Sequence, residues 1–264
     1  MSDLKTQTDK YSLEKDGNIA VLTIKTSDKI NQFSEEALKD LSEILKEIET
    51  DSSISVLIFT GHGKAFVAGA NIKQMVDMGQ EEGEALSELG QSVFNQVEEL
   101  SCITIAAING IAVGGGCELS LACDYRIASE QAQLGQPEIS IGTIPGWGGC
   151  YRLPRLIGYR NARDMIFTGK FVPAEEALEK GLIDQIAQPE ELMNEAKKLA
   201  ENLLEKPSLI LQCCKKALRA GLDMDKEQAM RVEQRYFGIS FGTAEKKEGM
   251  SAFLEKRQPN FKGC

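Results

Sequence analysis

The sequence predicts an α/β fold with a helical C-terminal region. Three observations point there. Short apolar segments rich in β-branched residues alternate with amphipathic helical patterns up to about Asn161. Beyond that point helical patterns dominate. Small-residue turns, several rich in glycine, follow the strands rather than forming linkers.

"NIAVLTIK" (Asn18 to Lys25) alternates and reads as a strand. Ser34 offers an N-cap to "EEALKDLSEILKEIE", whose Leu38, Leu41, Ile44, Leu45 and Ile48 fall on one helical face. "VLIFTG" (Val56 to Gly61) is a buried strand, and Glu81 to Leu100 is a second amphipathic helix. "ITIAAING" is a strand, followed by a short helix from about Cys117 to Cys123 and the strand "YRIAS". Helices then run over Ala162 to Phe167, Ala174 to Lys180, Glu190 to Leu204, Ser208 to Ala220, Lys226 to Phe241 and Ala244 to Glu255. One short strand, "LIDQIA", interrupts them. The division is placed at residue 195, with an active-site core over 1–195 and a helical oligomerisation region over 196–264.

The 264 residues carry a formal net charge of −10, which argues against nucleic acid or an anionic membrane as partner. The polar N-terminus lacks a signal-peptide core, and no apolar run reaches bilayer length; the expected location is the cytoplasm. Seven scattered cysteines without a C-x-x-C pair, and a single histidine, His62, predict reduced thiols and no zinc site.

The glycine clusters do not complete a nucleotide motif: "GHGKAF" lacks the leading glycine and the Ser/Thr of a P-loop, and "GIAVGGG" is not G-x-G-x-x-G. Three segments read together instead: Lys64 to Met75, Ile108 to Asp124 and Leu134 to Gly158. Turns of small residues after strands leave N–H groups directed outward, and a helix beginning there adds its dipole. Ala70 and Gly115 let a ligand atom approach such donors closely, as an oxyanion hole requires.

"AGAN", "NGIAVGGGCEL", "CDYRIAS", "GQPEISIGTIPGWGG" and "EGMSAFLEKRQPNF" together resemble the crotonase superfamily, most closely its enoyl-CoA hydratase branch, in order along nearly the whole chain. The resemblance implies a ClpP/crotonase-like fold with a β-β-α spiral core. It implies hydration of short-chain 2-enoyl-CoA to 3-hydroxyacyl-CoA, a step of fatty-acid β-oxidation. The oxyanion donors become the N–H groups of Ala70 and Gly115. The catalytic pair becomes Glu118, which orients and deprotonates water, and Glu138, which supplies the α-proton. Ala68, Asn71, Ile72, Lys73, Phe237, Phe253 and Lys256 become contacts to the CoA thioester, with the two lysines on phosphates and the phenylalanines reaching a neighbouring subunit. The expected assembly is a homotrimer or homohexamer, and no cofactor is needed because CoA is part of the substrate.

Two departures stand out. Asn71 replaces the usual aspartate of "AGAD", and "SDKINQF" lacks the usual proline and "NAL". Taken singly, Glu118 reads as a turn cap or a partner of Arg126 or Arg152, "GQPE" as a turn, and Trp147 as packing. The alternatives within the family are an enoyl-CoA isomerase, a cyclic dienoyl-CoA hydratase and a thioester hydrolase; outside it, a non-enzymatic binding protein. Retention of both glutamates favours hydration.

Overall fold

Val56–Gly61 (β3) and Ile103–Ile108 (β5) are apolar at almost every position because both of their faces are covered. Leu57, Phe59, Ala106 and Ile108 point into the main core; Val56, Ile58, Ile105 and Ala107 point into a second cluster on the opposite face. A computed structural model describes residues 8–26 and 30–261. In it, Tyr11–Asp16 (β1) and Ile19–Ile24 (β2) form a hairpin, and β2 continues in parallel to β3, β5, Tyr125–Ser129 (β7) and Gln185–Ala187 (β10).

A smaller sheet joins Ala65–Ala68 (β4), Ile111–Val113 (β6), Gln133–Gly135 (β8) and Phe171–Pro173 (β9) in that order; the first three are parallel. The chain therefore repeats one step. A strand of the large sheet leads into a strand of the small sheet and then a helix: β3–β4 with Ile72–Met75 (α2) and Gln80–Glu99 (α3), β5–β6 with Gly115–Ala122 (α4), and β7–β8 with a 3₁₀ turn, Glu138–Ile141, and Gly149–Thr168 (α5). This is the β-β-α spiral.

Glu35–Thr50 (α1) starts as its sequence predicts, with Ser34 Oγ accepting from the Ala37 N–H over 3.0 Å, and it buries Leu38, Leu41, Ile44, Leu45 and Ile48. The expected helix over Ala162 to Phe167 is the far half of α5, which begins at Gly149 and bends where Gly158 adopts φ 75°. Strands β1, β4, β6, β8 and β9 are additions to the sequence reading. Ala174–Glu179 (α6) follows β9. Leu192–Leu204 (α7) covers the outer face of the large sheet with Leu192, Ala196 and Ala200. The predicted division at residue 195 thus falls inside a helix that belongs to the core. Ser208–Asp223 (α8), Lys226–Phe241 (α9) and Ala244–Glu255 (α10) follow, α9 packing on α8 and α10 on α9. No helix among the described residues is long and apolar enough to cross a membrane.

Candidate active site

The register of the small sheet assembles the site. Ala68 pairs with Val113, and Val113 with Gly135, so three parallel strands end at one level. The residues that follow them are Gly69–Ala70, Gly114–Gly115 and Gln136–Glu138, the three motif segments of the sequence. Ligand sites of α/β proteins characteristically form at such strand ends. Gly114 (φ 53°) sits where the turns meet: a methyl group there would stand 3.0 Å from Oε1 of Glu138 and 3.4 Å from Cα of Gly69. Gly116 lies against the Val67 carbonyl, which leaves no space for any side chain.

Gly115 is the first residue of α4, so its N–H has no acceptor within the helix. Ala70 bridges to Phe33, but that bridge uses the Gly69 carbonyl and the Asn71 N–H, leaving the Ala70 N–H outside the ladder. The Trp147 indole fills the space behind Gly115 and packs edge-on against Phe33 and Phe94, which fixes the start of α4 from within the core.

Glu118 lies on the first turn of α4 and is 2% exposed. Its Oε1 accepts the N–H groups of Trp147 and Gly149, each over 2.8 Å. Burial pushes its carboxyl up to about 7; the N–H of Gly149 opposes this, the charge of Glu138 adds to it, and Trp147 and Arg152 oppose it. Glu138 opens the 3₁₀ turn and is half-buried, and burial raises its carboxyl to about 7 as well. The fully buried Gln136 amide faces it at hydrogen-bonding distance, 3.0 Å from Oε1 and 3.2 Å from Oε2; with its nitrogen turned to the carboxyl it donates to both oxygens. Two carboxyls that titrate near neutrality, beside backbone donors, can divide a proton transfer between them.

Arg126 and Arg152 are taken by Asp184 and Glu98, so neither forms the simple ion pair that would make Glu118 structural. Ala68 ends β4 and its N–H donates to the Asn31 carbonyl over 2.8 Å. Asn71 caps α2 by position without a side-chain capping bond, and Ile72 and Lys73 follow it, exposed. Phe237, Phe253 and Lys256 lie on the C-terminal helices: Phe237 packs at a tilt on Phe241 at 4.8 Å within α9, Phe253 is 83% exposed on α10, and Lys256 caps the end of α10 with φ 56°.

The sequence reading missed two residues. Gln136 was visible only as part of "GQPE". Asn31, fully buried, donates to the carbonyls of His62, Ala65 and Phe66 and so ties residues 30–33 to the β3–β4 corner. No pattern in the sequence marks it, because Asn31 stands beside the polar Gln32.

Residues 14–264 match the family described as enoyl-CoA hydratase/isomerase. The chain is 42% identical over 247 residues to the short-chain-enoyl-CoA hydratase of Clostridium acetobutylicum, covering 93% of this chain and 95% of that protein. It is 42% identical over 250 residues to the crotonyl-CoA hydratase of Syntrophomonas wolfei, covering 94% and 96%. The crystal structure of enoyl-CoA hydratase from Bacillus anthracis superposes with a TM-score of 0.90 at 36% identity, over 96% of this chain and 99% of the other. With this match along nearly its full length, and with the fold shared as well, the chain belongs to the enoyl-CoA hydratase/isomerase family.

Proposed function

We propose that the protein is an enoyl-CoA hydratase, a hydro-lyase that adds water reversibly to short-chain 2-enoyl-CoA thioesters. One observation carries the reading: Glu118, on the helix that starts at the Gly114 turn, and Glu138, whose carboxyl faces Gly114, are close enough that the charge of Glu138 acts on Glu118, and both carboxyls are raised to about 7. An acid and a base are then both available at neutral pH.

In this reading the thioester oxygen accepts the N–H groups of Ala70 and Gly115. Ionised Glu118 takes a proton from water as its oxygen adds to the β-carbon. Protonated Glu138 delivers a proton to the α-carbon, so one water is added in all. The charge that builds on the thioester oxygen is met by fixed backbone dipoles, which need no reorganisation. The chemistry draws on carboxyls and N–H groups and calls for no metal or redox cofactor. Ala68, Asn71 and Ile72 line the approach of the thioester, Lys73 takes a phosphate, and Phe237, Phe253 and Lys256 serve a neighbour's site in a homotrimer or homohexamer. The proposed setting is cytoplasmic fatty-acid breakdown.

The test is loss of enoyl absorbance from crotonyl-CoA in water. Turnover with formation of 3-hydroxybutyryl-CoA supports the reading. Double-bond migration or free CoA release without hydration would replace it with an isomerase or a hydrolase. A panel of linear, branched and cyclic enoyl-CoAs sets the substrate class.

A further inference from the structure

Arg152 does not hydrogen-bond the carboxyl pair, yet it grips the turn that does. Its guanidinium is nearly buried under residues 147–149. Nη1 donates to the Trp147 carbonyl over 3.2 Å, and the Arg152 main-chain N–H donates to the Gly148 carbonyl over 2.7 Å. Gly148, with φ 110°, leaves open the space that Nη1 occupies; a methyl group there would lie 2.1 Å from it. The other face of the guanidinium is anchored on α3: Nε and Nη2 donate to Oε2 of Glu98 over 3.0 and 2.7 Å, and Nη2 to Oδ1 of Asn95 over 2.5 Å. The second oxygen of Glu98 meets Arg219 of α8. A planar fork bound on both sides fixes geometry in a way a point charge does not.

We propose that Arg152 is a positioning residue for Glu118: anchored by Glu98 and Asn95, it holds the Trp147–Gly149 turn so that two N–H groups converge on one carboxylate oxygen. The inference rests on the reading of Glu118 as the group that activates water. It differs from a plain buried ion pair between α3 and α5, which would change stability and leave the titration of Glu118 alone.

The groups facing Glu118 are few. Glu138 approaches from the 3₁₀ turn, Cys150 and Arg152 from α5, and Cys117 neighbours it on α4. Glu98 of α3 stands behind Arg152, and Arg219 of α8 reaches the Ala122 carbonyl at the end of α4. Strands β4 and β6 carry no titratable side chain. Among the described residues, Arg152 is therefore the one cation whose loss acts on Glu118 both through its charge and through the turn.

The experiment measures kcat and KM for crotonyl-CoA from pH 5 to 9, with thermal unfolding, on full-length Arg152→Gln, Arg152→Lys and Glu98→Gln. Arg152→Gln is expected to lower kcat by roughly 10–100-fold, the cost of small misplacements near reacting atoms, with KM nearly unchanged. The rising limb of its kcat profile moves to higher pH, because a lost cation and slackened N–H bonds both leave the Glu118 carboxyl harder to ionise. Arg152→Lys restores the limb but not the full kcat, since an ammonium cannot span Trp147 and Glu98. If Arg152→Gln does not fold, Glu98→Gln decides: kcat falls about 3-fold or more at constant KM as the anchor weakens. A folded Arg152→Gln or Glu98→Gln with wild-type kcat and limb overturns the inference. Glu118→Gln run alongside separates the failures, because high activity there would fault the role of Glu118 and not that of Arg152.

Discussion

The Gly149 N–H donates to Oε1 of Glu118 over 2.8 Å, and the two residues are so close that a methyl group on Gly149 would stand 3.0 Å from that oxygen. The same methyl would lie 2.8 Å from both the Gln136 amide and the Pro145 ring. Gly149→Ala keeps the N–H but forces the turn away from the carboxylate. Its expected result is a kcat reduced about 10-fold or more with a modest change in KM. Equal kcat in the folded variant would show that the turn has slack the geometry does not suggest.

Removing either carboxyl tests the core of the mechanism. Glu118→Gln keeps an oxygen to accept from Trp147 and Gly149, and Glu138→Gln keeps the shape beside Gly114. Each is expected to lower hydration by at least roughly 100-fold, the lower range for acid–base groups, while the fold and CoA binding survive. Near-normal turnover in either variant removes the two-acid scheme.

The pH profile follows from the same pair. Both carboxyls are raised to about 7, so activity should rise as Glu118 ionises and fall as Glu138 loses its proton. The two limbs belong to the coupled pair and not to single residues. A rate that stays flat from pH 5 to 9 would contradict these titrations.

Stability should carry the opposite imprint. A carboxyl whose folded pKa is raised from 4.5 to about 7 contributes fully below the unfolded value and loses that contribution as pH rises through the folded one. Relative to Glu118→Gln, the native chain should therefore lose stability between about pH 4.5 and 7. Melting temperatures at pH 5 and pH 8 check this: the variant should gain at pH 8 compared with its standing at pH 5. An equal difference at both values would mean that Glu118 is not strained by its burial.

Sequence legibility divided along physical lines. The long helices were readable because apolar spacing shows over many turns; α9 and α10 occupy Lys226–Phe241 and Ala244–Glu255 as expected. Strands β6, β8 and β9 are three residues each, too short for a period to show, although they align the site. Glu118 and Glu138 stood out through their motifs, as candidates. Gln136 was assigned no role and Arg152 was read only as a candidate ion-pair partner of Glu118, because what they do depends on partners from α3, α5 and the 3₁₀ turn that only folding brings together.

Asn71→Asp would restore the aspartate usual in "AGAD". Asn71 is half-buried, follows the proposed donor Ala70 and makes no side-chain cap to α2. A carboxylate there would raise the pKa of the glutamates by like-charge repulsion. Hydratase activity should persist while the profile moves to higher pH. An unmoved profile would place residue 71 beyond electrostatic reach of the pair.

The last expectation concerns assembly. Leu218 is 73% exposed, Phe237 65%, Phe253 83% and Leu254 80%, and all four lie on α8 to α10. Large apolar groups so concentrated mark a surface that another chain covers. Leu209, Met230 and Phe241 extend it. The protein is therefore expected to be an oligomer at low micromolar concentration, measured by light scattering; a fully active monomer would refute this. Removing residues 249–264 takes away Phe253 and Lys256 while leaving Glu118 and Glu138 in place. CoA affinity should then weaken even where the assembly persists, because the segment proposed to complete a neighbour's site is gone. Unchanged affinity in that truncated oligomer would confine the site to a single chain.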